Sequence, residues 1–177
     1  MLEDVLLNPG RIAFVDVLVR MGAAIEAIER GERLGEPVGD LVVRASALHG
    51  TTVECTEPMI DEVPAIAVAA TFASGTTEIS GIGELRVKES DRVATIEDLV
   101  RSIGGQVEVD DDRLVVHGAT PHAATLASHG DHRIALAGAV AASAVPGTST
   151  ITGWRAADVS YPGFAADLAA LRAGGSS

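Results

Sequence analysis

Two hydrophobic patterns alternate along the chain. Between residues 90 and 105 the apolar positions have helical spacing, with Val93, Ile96, Leu99, Val100 and Ile103 on one face. β-Branched runs at residues 76–79 and 148–151 are typical of strands. The alternation predicts the α/β fold class, with helices packed on a sheet.

Three segments of 16 residues align without gaps: Asn8–Ala23, Ser90–Gly105 and Ser160–Gly175. Each opens on a residue that can cap a helix and closes on small residues, so each is predicted to be a helix with one buried face. In the second segment the expected N-cap is Ser90, which would place Arg92 in the first helical turn.

A second pair of matching segments covers residues 61–81 and 131–153. In both, an Asp precedes an Ala-rich apolar run, a Gly follows, and a β-branched strand leaves it. Asp61 and Asp131 are therefore predicted helix caps. Strand pairs follow the first two 16-residue helices, and the earlier pair is expected to be joined by a longer loop containing Gly and Pro.

The resulting order is helix, two strands, helix and strand, repeated. It predicts repeat units at about residues 5–81 and 82–153 and a partial unit at 154–177, within one domain without a flexible linker. Both ends of this order look cut, so we expect residues 1–177 to form an incomplete domain of a larger protein.

Composition excludes several classes of function. With 13 Lys plus Arg against 25 Asp plus Glu, the net charge is −12, which argues against a nucleic-acid partner. No apolar run reaches membrane-spanning length, so no membrane partner is expected. Cys55 is the single cysteine, which favours a reducing cytoplasmic location. Glycine-rich motifs for ATP or NAD are absent, and neither a cofactor nor a metal is expected.

The histidines are weak candidates for chemistry. His49 and His117 each precede a Gly at a strand end, and this repetition favours a structural role. His122 and His129 flank a loop without the ligand spacing of a metal site.

Although the chain is acidic, positively charged residues are concentrated at two predicted helix starts. The run GELRVKESDR, from Gly83 to Arg92, contains Lys88, the only lysine, and His132 with Arg133 follows Asp131. A helix N-terminus is itself partly positive, so cations there favour a bound anion such as a phosphate or carboxylate. Glu89, flanked by two cations, is placed for proton transfer. Surface ion pairs with Glu84, Asp91 and Asp131 would explain the position of any single arginine equally well, but they do not explain why the arginines occur together.

The motifs RVKESDR and DHR, with the Ala-rich helices around them, resemble the C-terminal part of the 5-enolpyruvylshikimate-3-phosphate synthases, the 3-phosphoshikimate 1-carboxyvinyltransferases. The resemblance covers nearly the whole chain. It implies an inside-out α/β barrel built from repeated βαβαββ units, of which this chain would supply part of one domain. It also implies that the partner of this domain is a missing N-terminal half.

The resemblance further implies a reaction and residue roles. The family transfers the enolpyruvyl group of phosphoenolpyruvate to the 5-hydroxyl of shikimate 3-phosphate, with release of phosphate and without a cofactor. By motif, Asp61 would bind the ring hydroxyls and take the 5-hydroxyl proton, and Glu89 would move the methylene proton. Lys88 would hold substrate oxygens. Three side chains would bind phosphoenolpyruvate: Arg92, His132 and Arg133.

One position departs from part of the family. Some members have a Lys where this chain has Ser160, so the general acid is left open. Because the other half would supply further substrate ligands, the 177 residues alone are expected to have negligible turnover. The alternatives are a UDP-N-acetylglucosamine enolpyruvyl transferase and a non-catalytic folded fragment.

Overall fold

The computed structural model describes residues 1–174 and has mixed α/β architecture. The strands within these residues are β1 Leu2–Leu6, β2 Ala24–Arg33, β3 Glu36–Arg44, β4 Thr52–Glu54, β5 Thr76–Ser80, β6 Gln106–Val109, β7 Arg113–His117, β8 Thr125–Ala127 and β9 Thr150–Thr152. The α-helices of the same range are α1 Pro9–Arg20, α2 Val63–Phe72, α3 Arg92–Ser102, α4 His132–Ala144, α5 Arg155–Ser160 and α6 Phe164–Gly174. Two 3₁₀ helices, Glu57–Glu62 and Gly83–Val87, precede α2 and α3. The predicted α/β class is confirmed.

The strands form three separate sheets rather than one. Their orders are β1-β3-β2, β4-β5-β7-β6 and β8-β9. Strands β4 and β5 are parallel and are connected through α2, and β8 and β9 are parallel and are connected through α4. The hairpins β2–β3 and β6–β7 are antiparallel and follow α1 and α3. Strands β4 and β8 were not predicted, because three residues are too few to show a hydrophobic period.

Helices α2, α3 and α4 pack against one another in the interior. Their small side chains allow this close approach, and α2 is buried on most of its circumference: Val63, Pro64, Ile66, Ala67, Val68, Ala70 and Thr71 are all buried. The four-stranded sheet presents alternate residues to this helical layer, including Ile79, Leu114 and Val116, each with no exposed surface. The main core therefore lies between the helices and one face of the four-stranded sheet, and the two-stranded sheet adds Leu126 and Ile151 to it.

One complete βαβαββ order runs from Thr52 to His117, through β4, α2, β5, α3, β6 and β7. Part of the same order precedes it and part follows it. The predicted units at about 5–81 and 82–153 divide this periodic order at a different element, and that division stays a prediction.

The third 16-residue segment is not one helix. Ser160 ends α5, and α6 begins at Phe164. Pro162 disfavours helical geometry at the residue before it, and Tyr161 accordingly adopts φ −147°, ψ 78°. The predicted end at Gly175 lies outside the described residues.

The loop prediction between β2 and β3 was also wrong. The strands continue to Arg33 and Glu36, leaving only a two-residue turn. Leu34 and Gly35 have φ of 54° and 81°, as a type I′ turn requires at both central positions. Such a turn matches strand twist, so the polar run extends the hairpin.

Candidate functional site

The candidate site lies where the starts of α3 and α4 meet the end of the 3₁₀ helix Glu57–Glu62. The N-cap of α3 is Asp91, whose carboxylate accepts from the backbone N–H groups of Val93 and Ala94, so the predicted cap Ser90 was wrong. Asp131 caps α4 as predicted, accepting from the backbone N–H of Arg133. Asp61 lies inside the 3₁₀ helix and makes no cap hydrogen bond to α2.

Arg92 is the first residue of α3, and its guanidinium is at the centre of the cluster. Only 1% of its side chain is exposed. Its Nε donates to Asp131 Oδ2 at 2.8 Å, Nη1 to Asp61 Oδ1 at 2.6 Å and Nη2 to Glu89 Oε2 at 2.5 Å. Arg92 thereby joins carboxylates from three different segments of the chain.

Arg133, in the first turn of α4, approaches the same carboxylate from the other side. Its Nη2 donates to Asp61 Oδ2 at 3.2 Å, and its Nη1 donates to Glu62 Oε1 at 3.1 Å. Asp61 therefore bridges the two arginines, one through each oxygen. Glu62, next to Asp61 in the sequence, was not predicted as a site residue.

The cations control the ionisation of Asp61. Partial burial acts to raise the pKa of Asp61, but the hydrogen bond from Arg92 and the charges of Arg133 and Lys88 outweigh it, and the pKa lies below its usual value. Asp61 is ionised at neutral pH and can attract a proton or a hydroxyl group. For Glu62 burial prevails over the charge of Arg133, and its pKa is raised.

Two predicted residues are less closely joined to the cluster. The ammonium of Lys88 donates to Glu84 Oε1 at 2.7 Å, and this hydrogen bond raises the pKa of Lys88. The charge of Asp61 also raises it, so the lysine acts on the cluster without a direct bond. His132 begins α4, but its side chain has no hydrogen-bond or ion-pair partner among the described residues.

The loop before α4 is tightly built. Ser128 is buried, and its hydroxyl donates to the carbonyl of Gly153 and accepts from the N–H of Gly130. His129 has a left-handed φ of 52°, and its Nε2 lies 2.8 Å from Asp98 Oδ2. These contacts fix the direction in which Asp131 enters the cluster.

The histidine equivalence predicted from sequence was wrong. His117 lies at the end of β7 beside Thr76 and Glu108, whereas His49 corresponds to His122. The backbone N–H of His49 donates to the carbonyl of Met21, beyond α1, and that of His122 donates to Ile103, beyond α3. The two histidines therefore share a structural position in the repeat.

The cluster opens to solvent through its carboxylates. Asp61 is 42% exposed and Glu89 is 52% exposed, so both can reach a ligand.

A separate cavity of about 440 Å³ lies between α4, β9 and α6 and is lined mainly by apolar residues. No group of His, Cys, Asp and Glu within residues 1–174 is arranged to hold a metal ion. None of the helices described there has the length and apolar character that a bilayer crossing requires.

Chemically, the cluster combines guanidinium donors with ionised carboxylates. Two guanidinium groups, from Arg92 and Arg133, contact four carboxylates: Asp61, Glu62, Glu89 and Asp131. An incoming anion can bind the arginines by displacing an exposed carboxylate, which is then free to exchange protons. The structure brings Asp61, Glu89, Arg92 and Arg133 into direct contact, and their roles stay predictions.

Comparison with known proteins gives a consistent result. A family model described as EPSP synthase (3-phosphoshikimate 1-carboxyvinyltransferase) matches residues 1–168. Two curated proteins named 3-phosphoshikimate 1-carboxyvinyltransferase, from Synechococcus sp. (strain JA-3-3Ab) and Methylobacterium sp. (strain 4-46), are each 45% identical to this chain. Each match covers 97% of this chain and 39% of the relative, so the chain spans about two fifths of their length.

Solved structures agree on the fold. An EPSP synthase from Acinetobacter baumannii matches with a TM-score of 0.81 and 33% identity over 94% of this chain and 40% of its own. The enolpyruvyl transferase NikO from Streptomyces tendae shares the fold with a TM-score of 0.67, 24% identity and coverage of 93% and 37%. The inside-out α/β fold is thus that of the enolpyruvyl transferases, and the chain belongs to the EPSP synthase family.

Proposed function

We propose that this chain supplies part of the active site for transfer of the enolpyruvyl group from phosphoenolpyruvate to the 5-hydroxyl of shikimate 3-phosphate. The observation that carries this proposal is the convergence of Arg92 and Arg133 on Asp61, beside Glu89. Both substrates are anions that guanidinium groups bind well, and the reaction requires proton transfers that carboxylates can perform.

In this proposal the arginines bind phosphoenolpyruvate. Arg133 is one-third exposed, with Nη groups on two carboxylates that a ligand anion can replace. Arg92 offers the Nη atoms that now contact Asp61 and Glu89. His132, at the start of the same helix as Arg133, supplies a further donor, and Lys88 holds substrate oxygens.

The carboxylates displaced by the ligand perform the proton transfers. Glu89 delivers a proton to the methylene carbon of phosphoenolpyruvate, which makes C2 electrophilic. Asp61, ionised by its cations, accepts the proton of the 5-hydroxyl as the oxygen bonds to C2. The tetrahedral intermediate then releases phosphate, which carries away the proton taken by Asp61, and Glu89, left ionised by the first step, takes a methyl proton, giving the enolpyruvyl ether and restoring both carboxyl groups. The protein groups in these steps are all side chains, and no cofactor enters the proposed steps.

A titration followed by NMR tests the proposal. The ¹⁵N-labelled chain is titrated with phosphoenolpyruvate and with shikimate 3-phosphate, and UDP-N-acetylglucosamine serves as the alternative substrate. We expect shift changes confined to residues 61–62, 88–92 and 131–133. Arg133→Ala should weaken phosphoenolpyruvate binding about tenfold, as loss of a charged hydrogen bond does.

The matched control is Arg113→Ala, which removes an arginine paired with Asp110 and Glu78 in another part of the structure. It should leave binding unchanged. Absence of shifts in these three segments up to about 10 mM ligand, or a response only to the UDP-sugar, would contradict the proposal.

A further inference from the structure

We propose that Asp131 is the positioning residue of this site. Its carboxylate accepts from Arg92 Nε and from the backbone N–H of Arg133 at the start of α4, and it thereby holds both arginines toward one ligand anion. The inference rests on the proposed function, because it concerns the binding geometry for the same anion.

The two oxygens of Asp131 have separate partners. Oδ1 accepts from the backbone N–H of Arg133 at 2.8 Å. Oδ2 accepts from Arg92 Nε at 2.8 Å and from the Ser90 hydroxyl at 3.1 Å. The side chain has no exposed surface, so all of its hydrogen bonds are made within the protein. A buried ionised carboxylate is tolerated only with such complete pairing.

Asp131 differs in this respect from the other carboxylates on Arg92. Asp61 and Glu89 contact the two Nη atoms and are about half exposed, so a ligand anion can displace them. Asp131 contacts Nε from the protein interior and cannot be reached by a ligand. The anchor therefore remains while the Nη partners exchange, and it stops the guanidinium from following a displaced carboxylate.

The same residue also aligns two helices. Arg92 begins α3 and Asp131 precedes α4, and the two residues are 39 positions apart in the sequence. By capping α4, Asp131 sets the first turn that carries Arg133. One side chain thus determines the relative position of both arginines, and it is not expected to contact substrate.

The variant Asp131→Asn separates positioning from capping. The Asn oxygen can still accept from the Arg133 N–H, and Asn is a good N-cap. Its amide nitrogen would face the Nε–H of Arg92, which is a donor and cannot accept, so the anchor to Arg92 is lost, whereas the Ser90 hydroxyl can turn to accept from the amide. The matched control is Asp91→Asn, which makes the same change at the N-cap of α3, where the carboxylate bonds the backbone and lies 3.7 Å from Arg86 Nη1 but makes no hydrogen bond to the Arg92 guanidinium.

Hydrogen exchange of the arginine Nε–H groups, observed by ¹⁵N NMR, reports the anchor directly. In the wild-type chain the Arg92 Nε–H should exchange at least about 100-fold more slowly than that of Arg113, since a buried hydrogen bond opens rarely. Arg113 Nε also donates to a carboxylate, at 3.0 Å, but its side chain is about half exposed. Asp131→Asn should accelerate Arg92 exchange and weaken phosphoenolpyruvate binding, each about tenfold, while Asp91→Asn changes neither.

Two results would overturn the inference: a folded Asp131→Asn variant with wild-type exchange and affinity, or wild-type Arg92 exchange as fast as that of Arg113. The second comparison needs no variant, so it decides the matter even if Asp131→Asn does not fold. If the wild-type chain binds no phosphoenolpyruvate, the proposed function is wrong, and the exchange rates separately decide whether Asp131 fixes Arg92.

Discussion

Arg92 and Arg133 carry the same charge in the first turns of two helices, but they differ in burial. Arg92 is 1% exposed and is the main cation beside the fully buried Asp131, whereas Arg133 is 34% exposed and contacts carboxylates that solvent also reaches. Replacing Arg92 leaves a buried charge without compensation. Replacing Arg133 removes only partly screened pairs.

We therefore predict that Arg92→Ala lowers the free energy of unfolding by about 3–5 kcal/mol, whereas Arg133→Ala lowers it by about 1 kcal/mol or less. Urea denaturation followed by circular dichroism at neutral pH measures both. Equal losses for the two variants would show that the burial of Arg92 does not govern its contribution.

The carboxylates of the cluster also predict a pH dependence. Burial acts to raise the pKa values of Asp61 and Asp131, but in both the hydrogen bond from Arg92 and neighbouring charges prevail and lower them. A lowered folded-state pKa gives stability that is complete above the unfolded value, about 3.9, and is lost as the pH falls through the folded value. Glu62 has a raised pKa and acts in the opposite sense, gaining stability when it is protonated.

The free energy of unfolding should thus change little between about pH 7 and pH 5 and fall below about pH 4. Asp61→Asn removes one of the responsible groups and should make the acid decline shallower, by at most about 1.4 kcal/mol per pH unit. Urea titrations at a series of pH values measure the slope. An identical decline in the variant would exclude a contribution from Asp61.

The pairing of Glu89 with Arg92 could be predicted because the two residues are close in sequence. Glu89 and Arg92 are three positions apart at a helix start, and the charge pattern marks them. The anchoring role of Asp131 could not be predicted, because it depends on a contact between two helix starts. Sequence alone indicated a cap there, and no local pattern identifies which arginine a capping carboxylate will also bind.

At the scale of elements, α1 and α3 end in the same way. After each helix a glycine adopts a left-handed conformation, with φ of 94° at Gly22 and 91° at Gly104. A histidine ring covers each glycine, and a Cβ added there would lie 3.1 Å from His49 or 2.9 Å from His122. The sequence predicted small residues at these helix ends, but it paired the wrong histidines, because the runs around His49 and His117 are similar in sequence and not equivalent in the fold.

This closure can be tested with Gly104→Ala and the matched control Gly35→Ala. Both glycines have positive φ, but nothing lies within 4 Å of a Cβ at Gly35. Each variant should lose about 1 kcal/mol or more from backbone strain, and Gly104→Ala should lose about 1 kcal/mol more from contact with His122.

Adding His122→Ala to each variant completes the double-mutant cycle, measured by urea denaturation. The histidine substitution should relieve the extra loss at Gly104 and leave the Gly35 variant unaffected. Additive losses at Gly104 would mean that the ring moves aside without cost.

At the scale of the whole molecule, the net charge of the site determines how strongly it can bind an anion. The two guanidinium groups of the cluster face four carboxylates, so the cluster is negative by two charges when all four are ionised. The chain as a whole is also strongly acidic. The proposed substrate anions would therefore have to displace carboxylates against an unfavourable local charge, and further cations would be needed for tight binding.

The solvent exposure of the cluster also limits the chemistry that this chain can perform alone. Asp61 and Glu89 are exposed to solvent in the described structure, and proton transfer to carbon requires aligned reactants from which water is excluded. The relatives that carry the activity in their names are about two and a half times as long as the matched region. We therefore expect this chain by itself to leave the site too open for the proposed reaction.

We predict that the 177 residues alone, given phosphoenolpyruvate and shikimate 3-phosphate, release no phosphate above the uncatalysed rate, because neither the charge nor the enclosure of the site suffices. A continuous phosphate-release assay measures this, with the full-length Synechococcus relative as the positive control. Adding the region of that relative that this chain does not match should restore turnover, and Glu89→Gln in this chain should abolish the restored activity. Normal turnover by the chain alone would show that the cluster binds and aligns both anions without further residues, contrary to the charge argument.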